Sequence, residues 1–291
     1  MHRAGTSVLI TIVLVSVIAA GCGAEPTPMA QSSQAPARPM PAPPPLQISP
    51  NLPDGSTTIV QKGNRIASLL GCHGCHDKNL QGHFFIDEAH FAMLYSSNLT
   101  RALPHYDDAQ LENAIREGLR PDGSPLWEMP SEAFTPLSAP DMQALIAYLR
   151  SVPRQGEEHP RVVFGPGGKQ EIETGLLKTA PEKVRQERHI SPAAAGPDHE
   201  WGRYLVHVVC GECHGPDLRG NPDPETFRPD LVVAAAYPLA AFKTLLKTGR
   251  PIGNRELTLM AKVSVSRFSH LTDAEVEAMH GYLVARAGVA R

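Results

Sequence analysis

The sequence predicts an all-α chain built from two small helical units in tandem. Three observations carry this. The string Cys-x-x-Cys-His occurs twice, in "CHGCHDKNLQG" (72 to 82) and "CGECHGPDLRG" (210 to 220), each with a leucine four and a glycine six residues after the histidine. Apolar residues recur at helical spacing around both copies, and no long stretch alternates apolar with polar as a half-buried strand would. Stretches rich in proline and glycine separate the periodic ones.

The chain's 291 residues suit two domains of ordinary size plus tails. Residues 1 to 21 read as an export signal, with Met1, His2 and Arg3 ahead of an apolar run from Val8 to Ala20 that is too short to span a bilayer comfortably. The run ends in "VIAAGC", which resembles the signal-peptidase motif of bacterial lipoproteins and makes Cys22 the expected lipid anchor. Gly23 stands where inner-membrane lipoproteins commonly carry an acidic residue, so the expectation is an exported lipoprotein on the periplasmic face of a membrane, the outer membrane being favoured. Residues 22 to 56 hold many prolines and few apolar side chains and predict a disordered tether.

Residues 57 to 152 form the first unit and 198 to 291 the second, with a mostly irregular linker at 153 to 197 whose charged part, Lys169 to Arg188, reads as helical. Both units repeat the same plan after the cysteine string. Leu111 and Ile115 precede Gly118 as Phe242 and Leu246 precede Gly249, and each glycine lies eleven residues before a methionine, Met129 or Met260. Each unit then closes with a helix, "LSAPDMQALIAYL" (137 to 149) or "LTDAEVEAMHGYL" (271 to 283), opened by Ser or Thr three residues before Asp or Glu as in a capping box. Met142, Leu145, Ile146 and Leu149 share one face of the first, and Val276, Met279 and Leu283 one face of the second.

A formal charge of -3 gives no electrostatic case for nucleic acid or an acidic membrane surface. Aromatic residues make up 5% of the chain against 24 glycines and 28 prolines, so each unit has few large side chains for its core. A large apolar cofactor would supply the missing volume.

A helical turn with Cys at i and i+3 and His at i+4 presents all three side chains on nearly one face. Two thioethers to one porphyrin and an imidazole beneath its iron need that geometry, and Cys-x-x-Cys-His is the attachment signature of c-type haem. Two copies, Cys72, Cys75 and His76 with Cys210, Cys213 and His214, use every cysteine except Cys22 and predict two covalently bound haem c groups. Zinc would want the two cysteine pairs closer together, and a redox dithiol would want a strand rather than a helix before it. His73 points about a hundred degrees away from Cys72 around the helix, so it reads as an exposed bystander. The distal iron ligand must come from later in each unit, and Met129 and Met260, at equivalent loop positions, are the candidates.

Both units resemble class I c-type cytochrome domains, through "CHGCHDKNLQG", "SSNLT", "LWEMPSEAF" and "DMQALIAYLRSVP" in the first and through "CGECHGPDLRG" and "LMAKVSVSRFSHLTDAEVEAMHGYL" in the second. The resemblance implies His76 and His214 as proximal and Met129 and Met260 as distal iron ligands. It also implies that Gly63 and Gly202 mark the crossing of first and last helices, with Tyr148 and Tyr282 as their aromatic partners. The chain is similar as well to cytochrome subunits of bacterial membrane-associated dehydrogenases, though with two haem motifs rather than three. The expectation is an electron carrier and not an enzyme, relaying single electrons between a dehydrogenase or quinol-oxidising complex and an acceptor such as a terminal oxidase, with the membrane reached through the N-terminal lipid and no nucleic-acid partner. The rival expectation is a di-haem peroxidase with one open iron, for which His83, His90, His105, His207 or His270 would be alternative ligands.

Overall fold

The computed structural model describes residues 58 to 222, 226 to 253 and 255 to 289. The expected signal sequence, tether and Cys22 lie outside the described residues, which all fall within one compact unit.

The first repeat opens with α1 (Ile59–Leu69), whose start is fixed by a capping box between Thr58 and Gln61. The short α2 (Cys72–Cys75) follows, then a hairpin of β1 (Phe84–Glu88) and β2 (Ala92–Tyr95). The helices α3 (Leu99–Ala102), α4 (Asp108–Glu117), α5 (Ser131–Phe134) and α6 (Ala139–Ser151) complete it. The joining segment contributes β3 (Val163–Phe164), α7 (Pro166–Glu173) and α8 (Ala180–Glu187), so the charged stretch expected to be helical forms two helices broken near Gly175. The second repeat comprises α9 (Glu200–His214), a 3-10 turn (Leu231–Ala236), α10 (Leu239–Thr248), α11 (Thr258–Ser266) and α12 (Asp273–Val289). Strands are a minor component, as expected: β2 pairs antiparallel with β1 on one side and with β3 on the other.

Two helix crossings organise the core. A β-carbon on Gly63 would lie 1.9 Å from the Ala144 carbonyl oxygen and 2.6 Å from the Tyr148 β-carbon, and one on Gly202 would lie 2.0 Å from the Ala278 carbonyl oxygen and 2.8 Å from the Tyr282 β-carbon. The first helix of each repeat therefore meets the last, α1 on α6 and α9 on α12, at a contact only glycine permits. The predicted inward faces are buried: Met142, Leu145, Ile146 and Leu149 on α6, and Val276, Met279 and Leu283 on α12.

The repeats meet through reciprocal polar contacts. Tyr204, two residues after Gly202, donates its hydroxyl to the fully buried Asp141 at 2.6 Å and accepts from the Ser138 backbone N–H at 3.1 Å. Arg65, two residues after Gly63, pairs with the buried Glu275 and donates from Nε to the His270 carbonyl at 2.8 Å. Asp141 and Glu275 are both the third residue of their helices, so each repeat's first helix engages the acid that opens the other's last helix. This use of Asp141 alters one expected cap. Thr272 and Glu275 form a full capping box, whereas Ser138 caps the Asp141 N–H while the Asp141 carboxylate binds Lys62 at 2.7 Å and Tyr204 instead.

Gly63→Ala or Gly202→Ala forces a β-carbon into a backbone carbonyl and should cost about 1–3 kcal/mol or more of stability in urea unfolding. Tyr204→Phe deletes a hydrogen bond to a buried carboxylate and should cost about 1.5–3 kcal/mol by the same measurement.

Candidate functional site

Each Cys-x-x-Cys-His string sits at the end of its repeat's first helical segment. In the first repeat Gly71, at φ +79°, turns the chain out of α1 and into α2, where Cys72 and Cys75 lie and which His76 caps. In the second, α9 continues unbroken and carries Cys210, Cys213 and His214 on its last turns.

The loops after the two histidines are alike, and this accounts for the leucine and glycine at fixed offsets. The Gly82 N–H donates to the His76 carbonyl, and the Gly220 N–H to the His214 carbonyl, both at 2.8 Å. Leu80 and Leu218 adopt left-handed backbone (φ 59° and 65°) with their side chains buried, and their carbonyls accept from Leu99 and Leu231 at 2.8 and 3.0 Å. Gly82 and Gly220 are also left-handed, and a β-carbon on either would lie 2.1 Å from a backbone oxygen, Ser96 or Arg228.

The folded-back chain returns a carbonyl to each imidazole. His76 Nδ1 lies 2.8 Å from the Ser97 oxygen and His214 Nδ1 2.9 Å from the Pro229 oxygen. A carbonyl only accepts, so Nδ1 carries the proton in both rings and Nε2 keeps its lone pair for a metal. Burial lowers both histidine pKa values, holding the rings neutral as ligation requires.

The four thiols form no disulfide. Burial pushes Cys72 and Cys210 up to about 12 and raises Cys75 and Cys213 as well. Reactive dithiols and zinc thiolates need the opposite shift. Among the described residues no three His, Cys, Asp or Glu side chains cluster as a metal site.

Cys72, Cys75, His76 and Met129 line one cavity of about 460 Å³, within the range of cofactor sites. Its wall is apolar through residues such as Leu103, Leu111, Ile115, Phe134, Leu145 and Leu149, and it also presents Trp127, Arg120 and Arg161. Two thiols one turn apart, an imidazole with a free Nε2, a thioether, an apolar wall and guanidinium groups fit a haem with its two carboxylate arms. Of the spare histidines, His105 also lines this cavity, whereas His83, His90, His207 and His270 do not.

Two sequence expectations need correction. Met129 does occupy a loop, ahead of Pro130 and α5, but Met260 sits on the first turn of α11, because "TLMAKVSVS" contains no proline or glycine to keep it open. Both methionines are half-buried against the core. His73 is not exposed: its Nε2 lies 2.9 Å from the Tyr148 hydroxyl, beside the Gly63 crossing.

Other site residues escaped the sequence reading. The Ser97 and Pro229 carbonyls leave no signature, since any residue supplies one. The joining segment also builds the cavity: Asn98 and Thr100 grip the Gln155 carbonyl at 2.8 Å, and Glu158 to Val162 line the wall, with His159 stacked on Tyr95 at 5.0 Å. Glu212 and Arg267 reach the same cavity from the second repeat.

No protein-family model matches the chain. It is 26% identical over 259 residues to the fructose dehydrogenase cytochrome subunit of Gluconobacter japonicus, covering 77% of this chain and 52% of that one. It is 27% identical over 269 residues to the cytochrome c subunit of the quinone alcohol dehydrogenase of Komagataeibacter europaeus, covering 79% and 56%. A diheme cytochrome c-type protein of Cereibacter sphaeroides is 26% identical over 210 residues, covering 62% and 69%. The chain thus spans about half the length of the dehydrogenase subunits it matches. With its doubled Cys-x-x-Cys-His turns, this chain is similar over most of its length to cytochrome c subunits of dehydrogenases and to a dihaem c-type cytochrome.

Proposed function

We propose that the chain is a di-haem electron carrier serving a dehydrogenase, with one haem c on Cys72 and Cys75 and a second on Cys210 and Cys213. The observation that carries this reading is the same turn built twice: a cysteine pair, then a histidine whose Nδ1 is bound to a backbone carbonyl at 2.8 or 2.9 Å. Bound haem c supplies reversible one-electron Fe(III)/Fe(II) chemistry.

The chain's own residues do the rest. The four thiols anchor the two groups covalently. Nε2 of His76 and of His214 would be the proximal ligand, with each ring held in orientation by the Ser97 or Pro229 carbonyl. Met129 and Met260 would hold the irons as the distal ligands, and a thioether ligand beside imidazole would raise the potential and leave no coordination position for substrate. Arg120, Arg161 and Trp127, which line the cavity, would take the carboxylate arms of the first haem, and the apolar wall would keep water from the iron.

The relatives' names include a fructose dehydrogenase and a quinone alcohol dehydrogenase, which supports a dehydrogenase as redox partner; a quinol-oxidising complex would be the other candidate donor and a terminal oxidase a candidate acceptor. No helix among the described residues is long and apolar enough to cross a membrane. Export and lipid attachment at Cys22 would hold the carrier at the periplasmic face, the outer membrane being favoured. Residues 57 to 152 and 198 to 291 would each form one haem domain.

Two measurements test this. Protein matured with a haem-attachment system should carry two haems by pyridine haemochrome assay, and Cys72→Ala with Cys75→Ala should leave one; two haems remaining would remove the first site from the proposal. In the ferric spectrum Met129→Ala and Met260→Ala should each abolish about half of the methionine-to-iron charge-transfer band and lower the potential of one haem. His105→Ala should leave the band intact. A methionine-to-iron band unchanged in Met129→Ala, with the first iron binding added cyanide only in His105→Ala, would make His105 the ligand and reopen the peroxidase reading.

A further inference from the structure

Arg267 stands between the two cysteine-bearing turns. It follows α11, its backbone N–H bonded to the Val263 carbonyl at 2.8 Å, and precedes a 3-10 turn, Phe268–His270. Its guanidinium packs on Gly71, where a β-carbon would lie 2.0 Å from Arg267 Cζ and 2.3 Å from Nε. Gly71 immediately precedes Cys72 and starts α2. From the same guanidinium, Nη1 reaches Glu212 Oε2 at 2.5 Å, and Glu212 lies between Cys210 and Cys213. One ion pair therefore runs from the first attachment turn to the second.

Three further features favour a role beyond packing. The pair's side chains are 16% and 24% exposed, so solvent and salt screen it less than a fully solvated surface bridge. Both residues line the cavity that holds Cys72, Cys75 and His76, and the Arg267 charge bears on the thiols of Cys72, Cys75 and Cys213. The turn that carries Arg267 is fixed from behind, since Arg65 donates to the His270 carbonyl at 2.8 Å and Lys247 donates to the Leu271 carbonyl.

Resting on the reading that haem c is attached at both cysteine pairs, we propose that Arg267, clamped by Glu212, is a positioning residue shared by the two haems, which holds their attachment turns together and tunes both reduction potentials in common. Reduction adds one negative charge at a haem. A fixed cation between the two sites favours that change at each, and the neighbouring carboxylate opposes it. The equivalent position of the first string is Gly74, so the bridge comes from the second repeat alone.

The test is a spectroelectrochemical titration of the full two-haem chain, after haem content has been counted by pyridine haemochrome. Arg267→Gln should lower the equilibrium constant for reduction at both haems by about threefold to tenfold, tenfold being about 59 mV for a one-electron couple. Glu212→Gln should raise it at both, and Arg267→Lys should keep most of the native value. Shifts of the same sign in Arg267→Gln and Glu212→Gln, or a shift at one haem only, or none, would overturn the proposal, because loss of packing does not reverse sign with charge. If Arg267→Gln fails to accumulate, the Glu212→Gln and Arg267→Lys results decide by the same signs. Fewer than two haems in the native chain would instead overturn the functional reading on which the proposal rests.

Discussion

The close approach of first and last helices at Gly63 and Gly202 is the contact on which the rest depends. With any side chain at those positions the helices could not touch where they do, since the β-carbon would sit within about 2 Å of a carbonyl oxygen on the facing helix. Because each cysteine string lies on the end of the helix that makes this crossing or directly after it, the crossing also determines where the thiols and the histidine stand. The loop after each histidine adds the other half of the site by returning a carbonyl to Nδ1, and it closes only because a leucine and a glycine accept left-handed backbone.

A cavity of about 460 Å³ walled by leucine, isoleucine and phenylalanine is costly for a chain with so few aromatic residues. Empty apolar space forfeits dispersion contacts and transfer free energy, and interiors are otherwise packed about as densely as organic crystals. A covalently held cofactor replaces the missing core, so folding and cofactor attachment are coupled in the same way that ligand binding is coupled to stability. Burial then keeps the imidazoles neutral and the thiols protonated until they are used.

Between the repeats the chain places polar groups rather than a purely apolar seam. Tyr204 with Asp141 and Arg65 with Glu275 are reciprocal contacts between equivalent positions, each taking an acid at the third residue of a helix, where a carboxylate also meets the favourable end of the helix dipole. Buried charges are tolerated only when paired, so these contacts admit few alternative dockings of one repeat on the other. That docking brings Arg267 and Glu212 to the first site's cavity.

The sequence by itself determined the helical class, the inward faces of the closing helices and the doubled Cys-x-x-Cys-His string. All of these are local or periodic, and they survive in a one-dimensional record because each depends on spacing along a single helix or turn. Tertiary structure alone decided which carbonyls hold the imidazoles, that His73 turns to Tyr148, that Met260 lies on a helix while Met129 lies in a loop, and that residues 155 to 164 wall the first cavity. It also decided that Arg267 meets Gly71 and Glu212. These contacts join residues far apart in the chain, many through backbone atoms common to every amino acid. Their partners are chosen by how the packed helices bring distant loops together, and no pattern of residue types along the sequence encodes that choice.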